Sequence, residues 1–351
     1  MKKSKFGYCG ILIFRIRGSV KDFSSLLLYL IFLILGVKFF WQNKIKICFV
    51  MNPLNELIVR TLPLVPRKIV RHFASRYIAG EKLEDAISTV KKLNQQGKLA
   101  TIDVLGENIT NENEALEALK TYKQVLQTIK ENNLNSDLSI KLTQLGLKLD
   151  FDFCYANVEE LVKFAKQYDN IVEIDMEDSS TTDATLEIYR KLKSKFDNVG
   201  VAIQAYLKRS ESDIKSLLPL KPRVRLCKGI YIEPETIAYK KRELINHNFK
   251  HLLNILLQSD AYTCIATHDD ELINEAYRLI KDYNLKDEKF EFQMLLGVRP
   301  ELGNKIVSDG YKLRIYVPFG EKWYAYSMRR FRENPQIAGY VFKAIFTRNS
   351  F

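Results

Sequence analysis

The sequence predicts an α/β protein: a distorted (β/α)8 barrel of the TIM type, preceded by a short helical arm. Three observations carry this. Short β-rich segments recur eight times, each followed by an amphipathic helical pattern. The segments fall within residues 98–351, close to the ~250 residues typical of such a barrel. The strands also carry polar side chains on one face and apolar ones on the other: Ser139 and Lys141 against Ile140 and Leu142, Glu173 and Asp175 against Ile174 and Met176, Arg223 and Arg225 against Val224 and Leu226. The runner-up, a doubly wound open sheet, has helices on both faces, so its strands read as continuous apolar runs instead.

Residues 1–50 form a basic and apolar extension. Lys2, Lys3 and Lys5 precede an apolar run from Phe23 to Val37, broken by Lys38 and resumed at Phe39 to Trp41. Two origins stay open. The run falls just short of the ~20 apolar residues of a membrane-spanning anchor. Alternatively Met51, where the composition changes abruptly, is the true start. No small-residue cleavage site follows the run, which argues against a signal peptide. Residues 51–97 are expected to be the helical arm, with Pro63 and Pro66 dividing it into two or three short helices.

The eight expected strands follow in order: Ala100–Gly106, Leu138–Gly146, Asn170–Asp178, Asn198–Tyr206, Arg223–Gly229, Tyr262–Asp269, Phe290–Gly297 and Lys312–Gly320. Between them, apolar residues recur at helical spacing, as in Leu119, Tyr122, Leu126 and Ile129, or Leu186, Tyr189, Leu192 and Phe196.

Charge and cysteines narrow the function. The net charge of +12 suggests nucleic acid at first, but residues 1–50 hold nine Lys/Arg against Asp22 alone. That +8 leaves 12 − 8 = +4 for the other 301 residues, and no basic stripe interleaved with aromatics occurs there, so nucleic-acid binding is not expected. Five scattered cysteines without a CxxC pair indicate neither a disulfide framework nor a thiolate metal site, and point to a reduced, cytoplasmic compartment. His247 and His251 have the spacing of a metal pair but lack companion ligands, so they read as surface residues and no metal is expected.

Active sites of such barrels form at the carboxyl ends of the strands. Lys141, Asp175, Gln204, Arg225, Lys228, Thr267, His268 and Tyr316 gather there in the sequence. Burying so many polar groups is costly unless a ligand or partner satisfies them. After the eighth strand, Tyr326, Arg329, Arg330 and Glu333 share one helical face, and the two guanidiniums can converge on one small carboxylate. The cations Lys141, Arg225, Lys228, Arg329 and Arg330 outnumber Asp175 and Glu333, so the pocket should hold anions. No GxGxxG or GxxxxGK[ST] is present. From these residues alone two enzymes compete: an aldolase-like barrel with a Schiff base on Lys141, and a barrel whose basic groups hold a cofactor and a carboxylate substrate.

From Met51 to the C-terminus the chain resembles the bacterial monofunctional proline dehydrogenases. The resemblance rests on SIKLTQLG, IDMEDS, QAYLKRS, RLCKGIY, ATHD, EFQMLLGVR and YVPFGEKWYAYSMRRFRENP, in that order. It implies a distorted barrel that binds FAD without a Rossmann fold and oxidises L-proline to Δ1-pyrroline-5-carboxylate, with electrons passed to membrane quinone. By the resemblance, Lys141, Arg329 and Arg330 pair with the proline carboxylate, and Tyr326 and Tyr316 pack around the ring. Asp175 orients Lys141, and Arg225 stands near flavin N5. Met176, Gln204, Lys228, Gly229, Ile230, Thr267 and His268 contact FAD. Ile230, where a small residue is common, and Cys227 depart from the usual pattern. The basic arm, with Arg60, Arg67, Lys68, Arg71 and His72, offers either a peripheral contact to the inner face of an anionic membrane or a cap on the barrel.

Overall fold

A computed structural model describes residues 70–71, 74–106, 109–324 and 326–328. The apolar extension, the arm before residue 70, and Arg329, Arg330 and Glu333 lie outside the described residues.

Eight parallel strands close into a barrel in sequence order. The helix Leu83–Gln95 (α1) leads into β1 (Leu99–Val104), and the repeats then run α2 (Glu112–Glu131), β2 (Ser136–Ile140), α3 (Phe151–Lys166), β3 (Val172–Ile174), α4 (Thr182–Lys193) and β4 (Val199–Gln204). They continue with α5 (Ser210–Leu217), β5 (Arg223–Cys227), α6 (Arg242–Leu257), β6 (Tyr262–Ala266), α7 (Asp270–Asp282), β7 (Phe290–Leu295), α8 (Pro300–Ser308) and β8 (Leu313–Phe319). Pairing of β1 with β8, from Leu99 opposite Arg314 to Val104 opposite Phe319, closes the ring and leaves no free edge.

Each of the eight expected strands is present, with trimmed ends. The first begins earlier, at Leu99, and so does the second, at Ser136, which stops at Ile140; its expected tail Leu142–Leu145 is a 3-10 turn. The third is three residues long. Beyond it the chain is held by a side chain in place of a ladder: Gln204 Nε2 donates to the carbonyls of Met176 at 2.8 Å and Glu177 at 3.1 Å.

Helix starts have local causes. Asn111 accepts from the Glu114 N–H at 3.1 Å and Asp150 from the Phe153 N–H at 2.7 Å, satisfying first-turn donors of α2 and α3. The inner helix faces match the sequence pattern: Leu119, Tyr122, Leu126 and Ile129 are buried, as are Leu186, Tyr189 and Leu192. They pack on outward strand residues such as Ile102, Ile140, Ile174 and Leu226, forming the core between helices and barrel.

Layers of branched apolar residues usually fill a barrel of this size. Here the lower interior is ionic. Arg223 donates to Glu173, to Asp137 at 3.2 Å and to Glu291 at 3.0 Å, while Arg314 meets Glu291 at 2.7 Å and Asp137 at 3.0 Å. Gly200 makes room for this layer, because a Cβ there would stand 2.5 Å from a Glu173 carboxylate oxygen. Glu173 and Arg223, on the polar faces of their strands, thus form the floor beneath the barrel mouth. The charges of Arg314 and Arg223 outweigh burial and hold the Glu291 carboxyl down to about 2. Among the described residues, no helix is long and apolar enough to cross a membrane, and no group of three or more His, Cys, Asp or Glu is placed to hold a metal. His251 pairs with Glu211 at 3.1 Å on the surface.

Candidate active site

Above the ionic floor, the carboxyl ends of the strands enclose a cavity of about 710 Å³. Lys141, Asp175, Met176, Gln204, Arg225, Lys228, Gly229, Ile230, Thr267, His268, Tyr316 and Tyr326 all line it. Every expected site residue that falls among the described ones is therefore at this one cavity. Arg329 and Arg330 lie outside the described residues.

Asp175 sits one residue past β3 and collects four donors. Its Oδ1 accepts from Arg225 Nη1 at 2.5 Å and Ser139 Oγ at 2.8 Å; its Oδ2 accepts from the Tyr316 hydroxyl at 2.7 Å and Lys141 Nζ at 3.3 Å. Burial alone would raise this carboxyl, but the charges of Lys141 and Arg225 and the Tyr316 and Ser139 hydrogen bonds outweigh it and hold Asp175 below the usual carboxylate range. Burial likewise disfavours charge on Lys141, yet Asp103, Tyr316 and Asp175 together hold its ammonium well above the ordinary lysine range. Burial pushes the Tyr316 hydroxyl far above its ordinary value, so it remains a donor. The wall thus presents Lys141 and Arg225 as fixed cations and Asp175 as a fixed anion.

Arg225 is also held from below. Its Nε donates to Gln293 Oε1 at 2.8 Å, and Gln293 Nε2 in turn donates to Glu291 of the floor at 2.7 Å. Arg225 Nη2 is buried without a hydrogen-bond partner, as is Gln204 Oε1. Such groups are costly unless a ligand meets them.

At the opposite end, Lys228 Nζ reaches Asp269 at 2.6 Å, and Arg242 Nη2 reaches the same oxygen at 2.7 Å. Asp269 also caps α7 by accepting from the Glu271 N–H at 3.1 Å. Gly229 has a φ of 101°, and a Cβ there would sit 2.1 Å from the Tyr206 ring, so only glycine lets the backbone pass between that ring and the cavity. His268 Nε2 accepts from the Leu295 N–H at 2.8 Å, which places the proton of the neutral ring on Nδ1.

Sequence reasoning missed several lining residues, among them Tyr231, Arg242, Gln293 and Leu295. Gln293 was within reach, because it alternates with Glu291 on the inward face of β7. Arg242 carries no such signal, being the first residue of an ordinary amphipathic helix. Asp103 on β1 was also missed. It does not line the cavity, but its Oδ1 accepts from Lys141 Nζ at 2.7 Å.

The donor set fits a flavin and a small amino acid. The cavity has room for a fused ring system and a compact acid. The unpaired Gln204 oxygen matches a ring N–H, the unpaired Arg225 nitrogen matches a ring N or O, and Lys228 with Arg242 supplies cations for phosphate.

Comparison with known proteins agrees. The family model described as proline dehydrogenase matches residues 86–342. Proline dehydrogenase 1 of Bacillus subtilis (strain 168) is 43% identical over 272 residues, covering 78% of this chain and 90% of its own. Proline dehydrogenase of Deinococcus radiodurans is 35% identical over 280 residues, with the same two coverages of 78% and 90%. Among solved structures, proline utilization A from Bdellovibrio bacteriovorus, inactivated by N-propargylglycine, superposes with a TM-score of 0.72 at 24% identity over 80% of this chain. The match spans 34% of that longer chain and speaks to the fold.

Proposed function

The chain belongs to the proline dehydrogenase family, and on that premise we propose how its cavity carries out the family's oxidation of proline. The protein is a flavin-dependent oxidoreductase acting on L-proline. The observation that carries this is the Asp175 cluster, a largely buried constellation of one anion, two cations and a phenol beside unpaired Gln204 and Arg225 atoms.

The reaction removes a hydride from the ring carbon next to nitrogen and a proton from the nitrogen, leaving the C=N bond of Δ1-pyrroline-5-carboxylate. A bound flavin supplies the two-electron acceptor. Lys141, with Arg329 and Arg330, holds the carboxylate by charge-assisted bonds worth roughly 1.5–3 kcal/mol each. Tyr316 and Tyr326 enclose the ring. Asp175 keeps Tyr316 and Arg225 in place: the Tyr316 hydroxyl donates to Asp175 and so fixes its ring at the cavity wall, while Arg225 keeps its unpaired Nη2 donor for the reacting end. Arg225 keeps a positive charge at the wall, where it would favour the negative charge gained by a bound flavin that takes up the electrons.

The flavin is proposed to be FAD. Lys228 and Arg242 are the cations suited to its pyrophosphate, Gly229 permits close backbone approach, and Met176, Gln204, Ile230, Thr267 and His268 complete the cradle. Residues 98–351 are taken as the catalytic barrel, 51–97 as a helical arm and 1–50 as an extension. The electron acceptor is proposed to be a membrane quinone, reached from the cytoplasmic side through a peripheral contact.

A Schiff-base aldolase is disfavoured by Lys141 itself. An imine-forming lysine needs a lowered pKa, whereas two carboxylates hold this one charged. Trapping the product with o-aminobenzaldehyde tests the assignment: the proposal expects the pyrroline adduct from L-proline with a quinone or dye acceptor. A borohydride-trapped adduct on Lys141, with no pyrroline, would replace it with the aldolase.

A further inference from the structure

Lys141 lies between two carboxylates that differ in what else supports them. Asp175 has Arg225, Ser139 and Tyr316, all at 2.8 Å or less, and meets Lys141 only at 3.3 Å. Asp103 is fully buried behind the cavity wall and is not part of it. Its Oδ1 accepts from Lys141 at 2.7 Å, its Oδ2 has no hydrogen-bond partner, and Lys141 is the cation paired with it among the described residues. A buried carboxylate with one counter-charge binds that charge tightly, since losing it leaves an unpaired ion in a dry site. An ammonium has three N–H donors; these two carboxylates take two and leave one for the cavity.

We infer that Asp103, rather than Asp175, is the residue that positions Lys141, fixing its ammonium so that the remaining donor meets the substrate carboxylate. This rests on the assignment of Lys141 to that carboxylate. Asp103 lies behind the cavity wall and acts through residues in it, Lys141 first and the Tyr316 hydroxyl second. Burial opposes the Lys141 charge and Asp103 is the largest influence restoring it, so without Asp103 the amine loses its proton at lower pH.

Two measurements on the flavin-loaded protein test this. In Asp103→Asn, KM for L-proline should rise tenfold or more, kcat should stay within about threefold, and flavin content should match wild type. Asp103→Asn added to Lys141→Gln should cost no further affinity; this double variant also removes both charges together, so it serves if the single variant does not fold. Acetylation of Lys141 by acetic anhydride, followed across pH by mass spectrometry, should begin at lower pH in Asp103→Asn than in wild type. An unchanged acetylation profile, or an equal KM penalty with and without Lys141, overturns the inference. If wild type fails to oxidise proline, the functional assignment falls, while the acetylation profile still decides whether Asp103 governs Lys141.

Discussion

Arg225 of β5 and Asp175, one residue past β3, face each other across the barrel, with Nη1 2.5 Å from Oδ1. Each is anchored elsewhere, Arg225 through Gln293 to the ionic floor and Asp175 through Ser139 and Tyr316 to β2 and β8. Four strands therefore meet at one carboxylate, which makes the geometry of the wall depend on its charge.

Replacing Asp175 by Asn keeps the shape and removes the charge. Arg225 and Lys141 would then be left as buried cations with reduced compensation, and Tyr316 would lose an ionised acceptor. We expect kcat/KM for proline to fall by about 10²-fold or more, in line with the loss of a preorganised electrostatic group. Steady-state kinetics on flavin-loaded protein check this.

The floor makes a pH prediction. Glu291 titrates at about 2 in the folded protein, against about 4.3 for an unperturbed glutamate. Because the folded value is depressed, its contribution to stability is present above the unfolded value and is lost as pH falls from there through about 2. In Glu291→Gln the melting temperature should fall at neutral pH, since breaking a buried ion pair costs roughly 3–5 kcal/mol. It should also vary less with acidification than wild type. A parallel acid limb in both proteins would contradict the role given to the floor.

Gly229→Ala places a methyl 2.1 Å from the Tyr206 ring at a φ of 101°. A strained backbone position costs on the order of 1–3 kcal/mol, and here the strain falls on the cofactor cradle. The ratio of flavin to protein absorbance should drop well below that of wild type.

Arg329→Ala and Arg330→Ala should each raise KM for proline about tenfold or more, with flavin content unchanged, as expected for one charge-assisted bond. Unchanged kinetics in both would remove the pair from the substrate site.

The barrel was legible because period-two alternation and helical spacing are local properties, and each of the eight strands preserves them. The cavity residues were legible for a related reason: polar side chains such as Lys141, Asp175 and Arg225 stand out at strand ends. Other features depend on contacts between strands distant in sequence. Shortening of β3 reflects Gln204 reaching across to the Met176 carbonyl. Glu173 and Arg223 share the alternation of Asp175 and Arg225, and only barrel depth separates floor from mouth. Asp103 sits in an ordinary-looking strand, and its pairing with Lys141 appears only once β1 and β2 are placed side by side.

The most direct test of the central claim is anaerobic titration of the purified protein with L-proline, followed in the flavin absorption bands. The protein should be yellow, with bands that bleach on adding L-proline and return with a quinone. A flavin spectrum that L-proline leaves unchanged, or protein that binds no flavin at all, would contradict the claim.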